Sequence, residues 1–586
     1  MSSTPSSTKK GWFRSRSGTA TPTTGADPSL DLSKQLEAAN LGKAGDGDEV
    51  GDDLAAAVGE ELEGDTESES GKFKALLGIL RKTLNVKDLT SVRISLPATM
   101  MEPIGNLEFW TYHDRPDYFA AIGEQDDELE RFLSVLRWTF TKELKYTKHS
   151  ISKPYNSILG EHFHCYYDVP VLSLHSKSKQ PSPTIHLDES PTAEVLTNAG
   201  RGSSNNATTA AALKSSPSAA SISLPPSARK AESVASSASS IASNRSARSA
   251  ASASSAATSV GVTDSGTARI VIVNEQTSHH PPISHFWSEA RVKGKDGKER
   301  TVRCSGVDQL SAKFTGANVK IVPGPSNRGL FIDLPDRNEE YQMTHPTAAV
   351  AGLIRAAPYA TICDSTFVSV WPLDEEERKK ELKDGKKKRL RAIIAYQEES
   401  WITRPRFIVD GVVYESFPNE AAGANEATAG EDKRFTRAKQ VPKERIVGTL
   451  EGNWRGEIKF KKAGESSSIT LVDLLPLSVV PKTVAPLEDQ DALETRRVWQ
   501  PVSEALYKKD YSTASREKQR IEQEQRDKAE ERKKKGETYR PVFFEPEPDD
   551  LSEWDGRPRL TEAGKAVLER DFKADYGGGE SAAKTE

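Results

Sequence analysis

The sequence predicts an α+β fold built around a large antiparallel β-sheet that closes on itself as a barrel. After residue 283 the chain consists of short segments rich in β-branched and aromatic residues, and turn residues separate these segments. The long crossover helices that parallel strands require are lacking between them. A sheet with this many antiparallel strands is large enough to close. The clearest predicted strands are Thr301–Gly306, Lys320–Val322, Gly329–Leu334, Arg391–Tyr396 and Arg406–Val409.

Helical periodicity precedes the predicted strands. In Phe73–Leu84 apolar residues, with Leu76 and Leu80 among them, recur at three- and four-residue steps with basic residues between them. This pattern predicts an amphipathic helix, which either packs in the core of its own domain or faces a layer of lipid headgroups. The prolines of Leu96–Pro103 exclude a continuous helix there. The pattern of Asn106–Leu144 is again helical, and we interpret it as packed scaffold without chemistry.

Composition and charge exclude several classes of protein. The 586 residues carry a formal net charge of −5, so no global basic field attracts nucleic acid. The three cysteines, Cys165, Cys304 and Cys363, form no disulfide pattern and indicate a reducing compartment. Residues 1–14 lack the apolar core of a signal peptide, and no run approaches the roughly 18 apolar residues that span a bilayer. We therefore expect a cytoplasmic, monomeric protein that contacts anionic membranes peripherally.

Two long polar stretches are predicted to be disordered. Residues 1–70 are rich in Ser, Thr, Gly and acidic residues, and Ser and Ala dominate residues 171–266. Neither stretch buries enough apolar surface to offset the entropy lost on ordering. Because the cost of closing a loop grows only logarithmically with its length, a domain can carry the second stretch as an insertion. Residues 551–586 are interpreted as a C-terminal tail.

The segment Glu275–Pro282 stands out in the middle of the chain. It follows the β-branched run Ile270–Val273, which predicts a buried strand. The two prolines that end the segment cannot donate ladder hydrogen bonds, so the strand must stop or bulge just after the histidines. His279 and His280 are thus expected at the rim of a sheet, where they can meet a ligand. A pair of surface histidines without function is the alternative from these residues alone.

This octet, Glu-Gln-Thr-Ser-His-His-Pro-Pro, resembles the fingerprint of the oxysterol-binding protein family of lipid-transfer proteins. The usual form has Val where this chain has Thr277. The segment Lys153–Glu161 is similar to a second family signature, with Ser157 in place of a proline. Pro486–Trp499 resembles a further family block. The resemblance extends from about Lys72 to about Phe544, apart from the insertion.

A third signature lies in the charged helical region Lys518–Lys535. Lys518, Glu522 and Arg526 follow one another at four-residue steps, on one helix face. Such a run alone is typical of a solvated helix with intrahelical ion pairs. The three positions match the family pattern Lys-x-x-x-Glu-x-x-x-Arg, which contacts a lipid headgroup. The resemblance therefore favours the functional interpretation.

The resemblance implies one lipid-binding domain over residues 71–550, with a central hydrophobic tunnel. Both flanks of the Ser/Ala-rich stretch carry family signatures, so the stretch is an insertion in this domain. A lid over residues 71–100 would close the tunnel, with four residues at its mouth: Leu76, Leu80, Leu96 and Pro97. No pleckstrin-homology-like segment is recognisable, as in short fungal-type members of the family.

The resemblance also implies the ligands and their site. The headgroup-binding residues would be Lys153, Asn156, His279, His280, Lys518, Glu522 and Arg526. The histidine pair and Arg526 would contact the 4-phosphate of phosphatidylinositol 4-phosphate, and Lys153 would lie nearer the bridging phosphate. A sterol would occupy the same tunnel, so the two lipids would exchange between membranes. No cofactor, nucleotide site or catalysis is expected.

The second lipid is less well determined than the first. Leu96–Pro97, Glu102–Pro103 and Leu107–Glu108 share the outline of relatives that carry phosphatidylserine, but Ala98–Met101 departs from their pattern. We therefore favour a sterol, with phosphatidylserine as the alternative. A lipid-regulated scaffold is a further alternative, which the long insertion supports.

A zinc metalloenzyme is the alternative from another class. His162 and His164 alternate onto one strand face, Cys165 is adjacent, and His279 and His280 could approach them. Against this interpretation, Cys165 points away from His164 on a strand, and no carboxylate is assigned as a general base. We therefore expect neither a metal site nor an enzyme.

Overall fold

The computed structural model describes residues 101–148, 153–172, 267–293, 297–314, 318–352, 359–400, 403–418, 435–552 and 554–576. All of them belong to one compact unit, Pro97–Glu586. The predictions for the N-terminal tail, for the lid with Leu76, Leu80, Leu96 and Pro97, and for nearly all of the insertion lie outside the described residues.

Within the described part of the chain, the strands form three sheets. A sheet of twelve antiparallel strands has the order β18-β17-β16-β15-β14-β13-β10-β9-β6-β5-β4-β3. A four-stranded sheet has the order β12-β11-β8-β7, and β1 pairs with β2 in parallel. The strands are β1 (Met101–Gly105), β2 (Lys153–Tyr155), β3 (His162–Pro170), β4 (Thr267–His279), β5 (Pro282–Lys293), β6 (Glu299–Asp308), β7 (Leu310–Phe314), β8 (Val319–Pro323), β9 (Leu330–Leu334), β10 (Glu339–Met343), β11 (Thr347–Ala351), β12 (Tyr359–Cys363), β13 (Ser365–Pro372), β14 (Arg389–Tyr396), β15 (Ile408–Ser416), β16 (Ile446–Asn453), β17 (Glu457–Lys462) and β18 (Ile469–Asp473). The predicted large antiparallel sheet is confirmed, although the predicted strand Arg406–Val409 begins only at Ile408.

The α-helices lie before the large sheet, between two of its strands and after it. They are α1 (Asn106–Phe109), α2 (Pro116–Ala120), α3 (Glu128–Thr141), α4 (Lys145–Lys148), α5 (Glu375–Asp384), α6 (Thr495–Tyr507), α7 (Tyr511–Lys535) and α8 (Glu562–Lys573). The helix α3 begins where Asp127 accepts a hydrogen bond from the backbone N–H of Glu130, at 3.0 Å. Among the described helices, none combines the length with the apolar character that a bilayer crossing requires.

The predicted buried strand at Ile270–Val273 is present within β4. Ile270 and Ile272 point into the main core, while Val271 and Val273 pack in a second cluster on the opposite face. That second cluster includes Leu568 of α8, within the region interpreted from sequence as a tail. The run is apolar at every position because both faces of the strand are covered.

The scaffold helix α3 packs against one face of the large sheet. Its Phe132 and Trp138 are fully buried, and Phe132 contacts the ring of Tyr341 on β10 with a centroid separation of 6.0 Å. Trp138 contacts Phe119 of α2 at 5.4 Å. The predicted helix over 106–144 is therefore present as several short helices, which enclose much of the core.

The predicted closure of the sheet as a barrel is wrong. Within the described residues β3 and β18 form the two edges of the sheet and do not pair with each other. The chain after β18 instead runs irregularly over 474–494 and reaches the edge of β3. There Tyr166 and Thr483 exchange two backbone hydrogen bonds of 2.9 and 2.8 Å, and the His162 N–H donates to the Leu493 carbonyl at 3.1 Å. Prolines at 476, 481 and 486 prevent this segment from forming a continuous strand.

Candidate functional site

The histidine pair lies at the turn between β4 and β5. The strand β4 ends at His279 and β5 begins at Pro282, as the sequence predicts. The two imidazoles contact each other edge to face, with ring centroids 4.6 Å apart, and His280 is exposed. Thr277 donates its hydroxyl to the carbonyl of Ile283 at 3.3 Å and ties the two strands together just before the turn.

A cationic cluster forms where β2 meets α7. Lys518 is only 8% exposed, and its Nζ lies 2.7 Å from Oε1 of Glu522. Burial, together with the nearby charge of Lys518, lowers the pKa of Lys153 to about 8, and Glu522 offsets part of this effect. Both lysines thus lie near the carboxylate of Glu522, and Lys518 is shielded from water. An anion bound there would gain from both.

Packing of apolar residues holds the two lysines together. Tyr155, two residues after Lys153, stacks on Trp499 of α6 with a centroid separation of 4.7 Å. Ile521 of α7 belongs to the same buried cluster. Lys518 lies on the buried stripe of α7 beside Ile521. The packing of α7 against α6, which also carries Trp499, therefore places the ammonium group of Lys518 near Lys153.

The Lys153–Glu161 signature and the histidine octet contact each other directly. The Gly160 N–H donates to the carbonyl of Gln276 at 2.9 Å, and the Gln276 N–H donates to the carbonyl of Glu161 at 2.8 Å. These two hydrogen bonds extend the pairing of β3 with β4. The second signature and the histidine octet are therefore parts of one backbone structure.

The glutamate that begins the octet anchors the chain after α7. Glu275 is fully buried and accepts three hydrogen bonds, from the Tyr539 hydroxyl at 2.9 Å and from the backbone N–H groups of Val542 and Phe543 at 2.7 and 2.8 Å. The sequence interpretation gave this residue no role of its own. Its position as the first residue of the octet was the feature of the sequence that could have indicated a role.

Glu161, the last residue of the second signature, likewise joins two segments of the chain through hydrogen bonds. Glu161 accepts hydrogen bonds from the Ile158 N–H at 2.9 Å, the Thr495 hydroxyl at 2.9 Å and the Trp499 indole at 3.1 Å. Burial raises the pKa of its carboxyl to about 7, although the donors oppose this shift. Glu161 therefore joins the signature loop to α6, which also supports Tyr155.

The remaining predicted headgroup residues are exposed. Asn156 lies in the loop after β2. Arg526 lies about 12 Å along α7 from Lys518, at 1.5 Å per residue, and its Nε donates to Gln523 at 3.0 Å. The described contacts thus join Lys153, Lys518 and Glu522 in one cluster. The two histidines contact each other at the turn.

A buried ion pair that the sequence interpretation did not identify lies beside this cluster. Glu108 is 2% exposed and accepts from Nη2 and Nε of Arg496 at 2.7 and 3.0 Å, with Nζ of Lys482 at 3.9 Å. Burial favours the neutral acid, but the two cations lower the pKa of Glu108. The pair borders a cavity of about 100 Å³. Lipid-sized pockets are roughly 300–1,000 Å³, so this cavity is not the predicted tunnel.

The metal-binding set considered from the sequence does not assemble. Cys165 points into the main core, away from His164. His162 is opposite Glu275 in the ladder, so His279 lies four residues, or about 13 Å, further along β4. The histidine octet therefore cannot complete a site with the histidines of β3.

Taken together, the fold and the site define an α+β protein in which backbone hydrogen bonds join the Lys153–Glu161 signature to the octet with the rim histidine pair. Lys518 of the third signature is buried near the half-buried Lys153. The sequence model of the family described as "Oxysterol-binding protein" matches residues 75–182, 260–416 and 428–563. The chain belongs to this family.

Individual relatives are similar over most of the chain. "Oxysterol-binding protein-like protein 1" of Schizosaccharomyces pombe is 40% identical over 524 residues, which cover 88% of this chain and 94% of the relative. "Oxysterol-binding protein-like protein OBPa" of Candida albicans is 21% identical over 80% of this chain and 75% of its own length. The chain is also similar to the crystal structure of the Osh3 ORD in complex with PI(4)P from Saccharomyces cerevisiae. The matched residues cover 86% of this chain and 93% of the Osh3 chain, with 15% identity and a TM-score of 0.47.

Proposed function

We propose that this protein is an intracellular carrier that binds a sterol and phosphatidylinositol 4-phosphate alternately and exchanges them between membranes. The observation that carries the proposal is the cluster of Lys153, Lys518 and Glu522, in which a half-buried and a buried lysine lie close enough for the charge of one to lower the pKa of the other. A phosphorylated headgroup would place negative charge beside both lysines. The family to which the chain belongs is named for its binding of oxysterols, which supports a sterol as the second lipid.

The arrangement of the signatures supports a single headgroup site. Backbone hydrogen bonds join the loop after Lys153 to the octet that carries His279 and His280. The same helix α7 carries Lys518 and Arg526. We propose that the histidine pair and Arg526 contact the 4-phosphate when the headgroup is bound. Asn156 would add a donor.

The setting that we propose is the cytoplasm, where the protein would act as a monomer and contact anionic membranes peripherally at organelle surfaces. All three cysteines are buried and unpaired, as suits a reducing compartment. Exchange driven by a phosphoinositide gradient needs no cofactor or catalytic step. We therefore propose a carrier and not an enzyme.

Extraction of lipids from liposomes tests the headgroup site. Lys153→Ala, Arg526→Ala and the double variant His279→Ala/His280→Ala each remove charge-assisted hydrogen bonds worth about 1.5–3 kcal/mol. We expect extraction of phosphatidylinositol 4-phosphate to fall about 10- to 100-fold. Extraction of the sterol should stay within twofold.

Lys528→Ala is the matched control, since it removes an exposed lysine from the same helix. It should leave both lipids unaffected. Unchanged phosphoinositide extraction in all three site variants would contradict the proposal. Native mass spectrometry of the protein isolated from its own cells would name the second lipid, and recovery of phosphatidylserine without sterol would replace the sterol in the proposal. A bound phosphoinositide without any transfer activity would instead indicate a lipid-regulated scaffold.

A further inference from the structure

A group of three buried side chains with metal-ligating atoms lies at the edge of the large sheet. His162 and His164 of β3 face Glu494, and one ligand atom of each lies within 4.8 Å of the other two. The three residues are 5%, 6% and 6% exposed. This group is separate from the headgroup residues discussed above.

The fold brings these residues together from distant parts of the chain. His162 and His164 are two residues apart on a strand, so their side chains share one face. The edge of β3 forms an isolated parallel bridge between His162 and Glu494, supported by the hydrogen bond from the His162 N–H to the Leu493 carbonyl. Glu494 is also the N-cap residue of α6. The position of all three is therefore set by backbone pairing.

The surroundings of the imidazoles are those of metal ligands. Nδ1 of His162 is 3.3 Å from the carbonyl of Gly160, a contact that would orient the ring and direct Nε2 away from that carbonyl. Nδ1 of His164 is buried and has no hydrogen-bond partner among the described residues. The ring of Phe543 packs nearly perpendicular to both imidazoles, with ring centroids 5.0 Å apart in each pair, and limits the access of water.

The charges of the group are compatible with a bound cation. Glu494 brings a carboxylate to two imidazoles, and all three side chains are buried. Arg570 adds positive charge nearby, but its Nε donates to Asp571 at 2.8 Å, so a carboxylate offsets that charge.

We propose that His162, His164 and Glu494 bind a divalent transition metal ion of the zinc type. Two imidazole nitrogens and one carboxylate oxygen form a ligand set that zinc accepts at about 2.0–2.2 Å. A tetrahedral site also needs a fourth ligand. Asp491, whose Oδ1 is 3.9 Å from Nε2 of His162, or a water molecule can supply it.

A metal ion bound at this site would link two elements of the fold. It would join β3, which is an edge strand of the large sheet, to the start of α6. A metal ion bound only by the folded state stabilises it by mass action. The proposal therefore predicts that Zn²⁺ raises the thermal unfolding temperature.

Metal binding by the full-length, untagged protein tests this site. After chelation and dialysis, Zn²⁺ titrated against a competing indicator should bind with one tight equivalent per chain. Glu494→Gln and His164→Ala should each weaken this equivalent at least tenfold and abolish the rise in unfolding temperature. Glu488→Gln, which makes the same chemical change at an exposed carboxylate of the same segment, should behave as the unaltered protein.

Two outcomes would overturn the proposal. One is the absence of a tight equivalent in the unaltered protein. The other is equal Zn²⁺ affinity in Glu494→Gln and the unaltered protein, which would mean adventitious binding by other histidines. If the variants fold poorly, Co²⁺ added to the unaltered protein still decides the question. The visible spectrum of four-coordinate Co²⁺ supports the site, and a six-coordinate spectrum refutes it.

Discussion

Replacing Glu275 should destabilise the protein strongly, although this residue belongs to the signature that carries the proposed headgroup-binding histidines. Its carboxylate accepts hydrogen bonds from the Tyr539 hydroxyl and from the N–H groups of Val542 and Phe543. Glu275→Ala leaves two partly buried backbone N–H groups without their acceptor, at about 1–3 kcal/mol each. With the lost bond to Tyr539, the free energy of unfolding should fall by about 3–6 kcal/mol. Denaturation in urea, followed by circular dichroism, measures this change.

Two further variants separate the contributions of the hydrogen bonds that Glu275 accepts. Glu275→Gln keeps the volume and one acceptor oxygen, so it should cost about 1–3 kcal/mol. Tyr539→Phe removes one of three donors and should cost about 1 kcal/mol. A cost for Glu275→Ala no larger than that of Tyr539→Phe would refute the anchoring role. Normal stability with selective loss of phosphoinositide extraction would instead make Glu275 a ligand contact.

Three further predictions concern buried charges. The pKa of Lys153 is lowered to about 8, so its stabilising contribution is present above the unfolded-state pKa near 10.4 and is lost as pH falls through 8. In Lys153→Met the free energy of unfolding, measured with urea, should therefore depend less on pH over this range. An unchanged dependence on pH would contradict the assignment. The pKa of Glu161 is raised to about 7, so its contribution is present below about pH 4.3 and is lost as pH rises through 7. Relative to Glu161→Gln, the unaltered protein should lose about 3–4 kcal/mol between pH 4 and 8, and parallel stability curves would contradict this. Arg496→Met leaves Glu108 buried without its main partner and should cost about 3–5 kcal/mol in urea denaturation. Adding Glu108→Gln should recover at least half of this cost, and no recovery would show that the ion pair is not its source.

Local patterns in the sequence identified most of the strands and the turn at the histidines. The apolar run Ile270–Val273 predicts a buried strand because a strand covered on both faces excludes water from every side chain. The prolines after His280 predict the end of β4 because they lack the N–H groups that a ladder needs. Both features depend only on neighbouring residues, so they can be read without the fold.

The segments that pair with the edge strands of the sheet could not be predicted from such local patterns. The sequence contains enough strands for a closed sheet, but closure depends on whether β18 meets β3. The proline-rich segment 474–494 reaches that edge instead, with Thr483 paired to Tyr166. The described strands therefore do not close the predicted barrel, because strand content does not determine which edges are adjacent.

The sequence by itself determined the family of this protein, the strand-rich composition of its domain and the types of residue available to bind a phosphorylated headgroup. Only the tertiary structure decided that Lys518 is buried beside Lys153, that Glu161 and Glu275 tie the signatures to α6 and to the chain after α7, and that Glu494 faces His162. The physical reason is that hydrophobic periodicity and turn chemistry act between near neighbours. Contacts between distant residues depend on how whole elements pack, and burial then changes the charge and the hydrogen bonding of the side chains that meet.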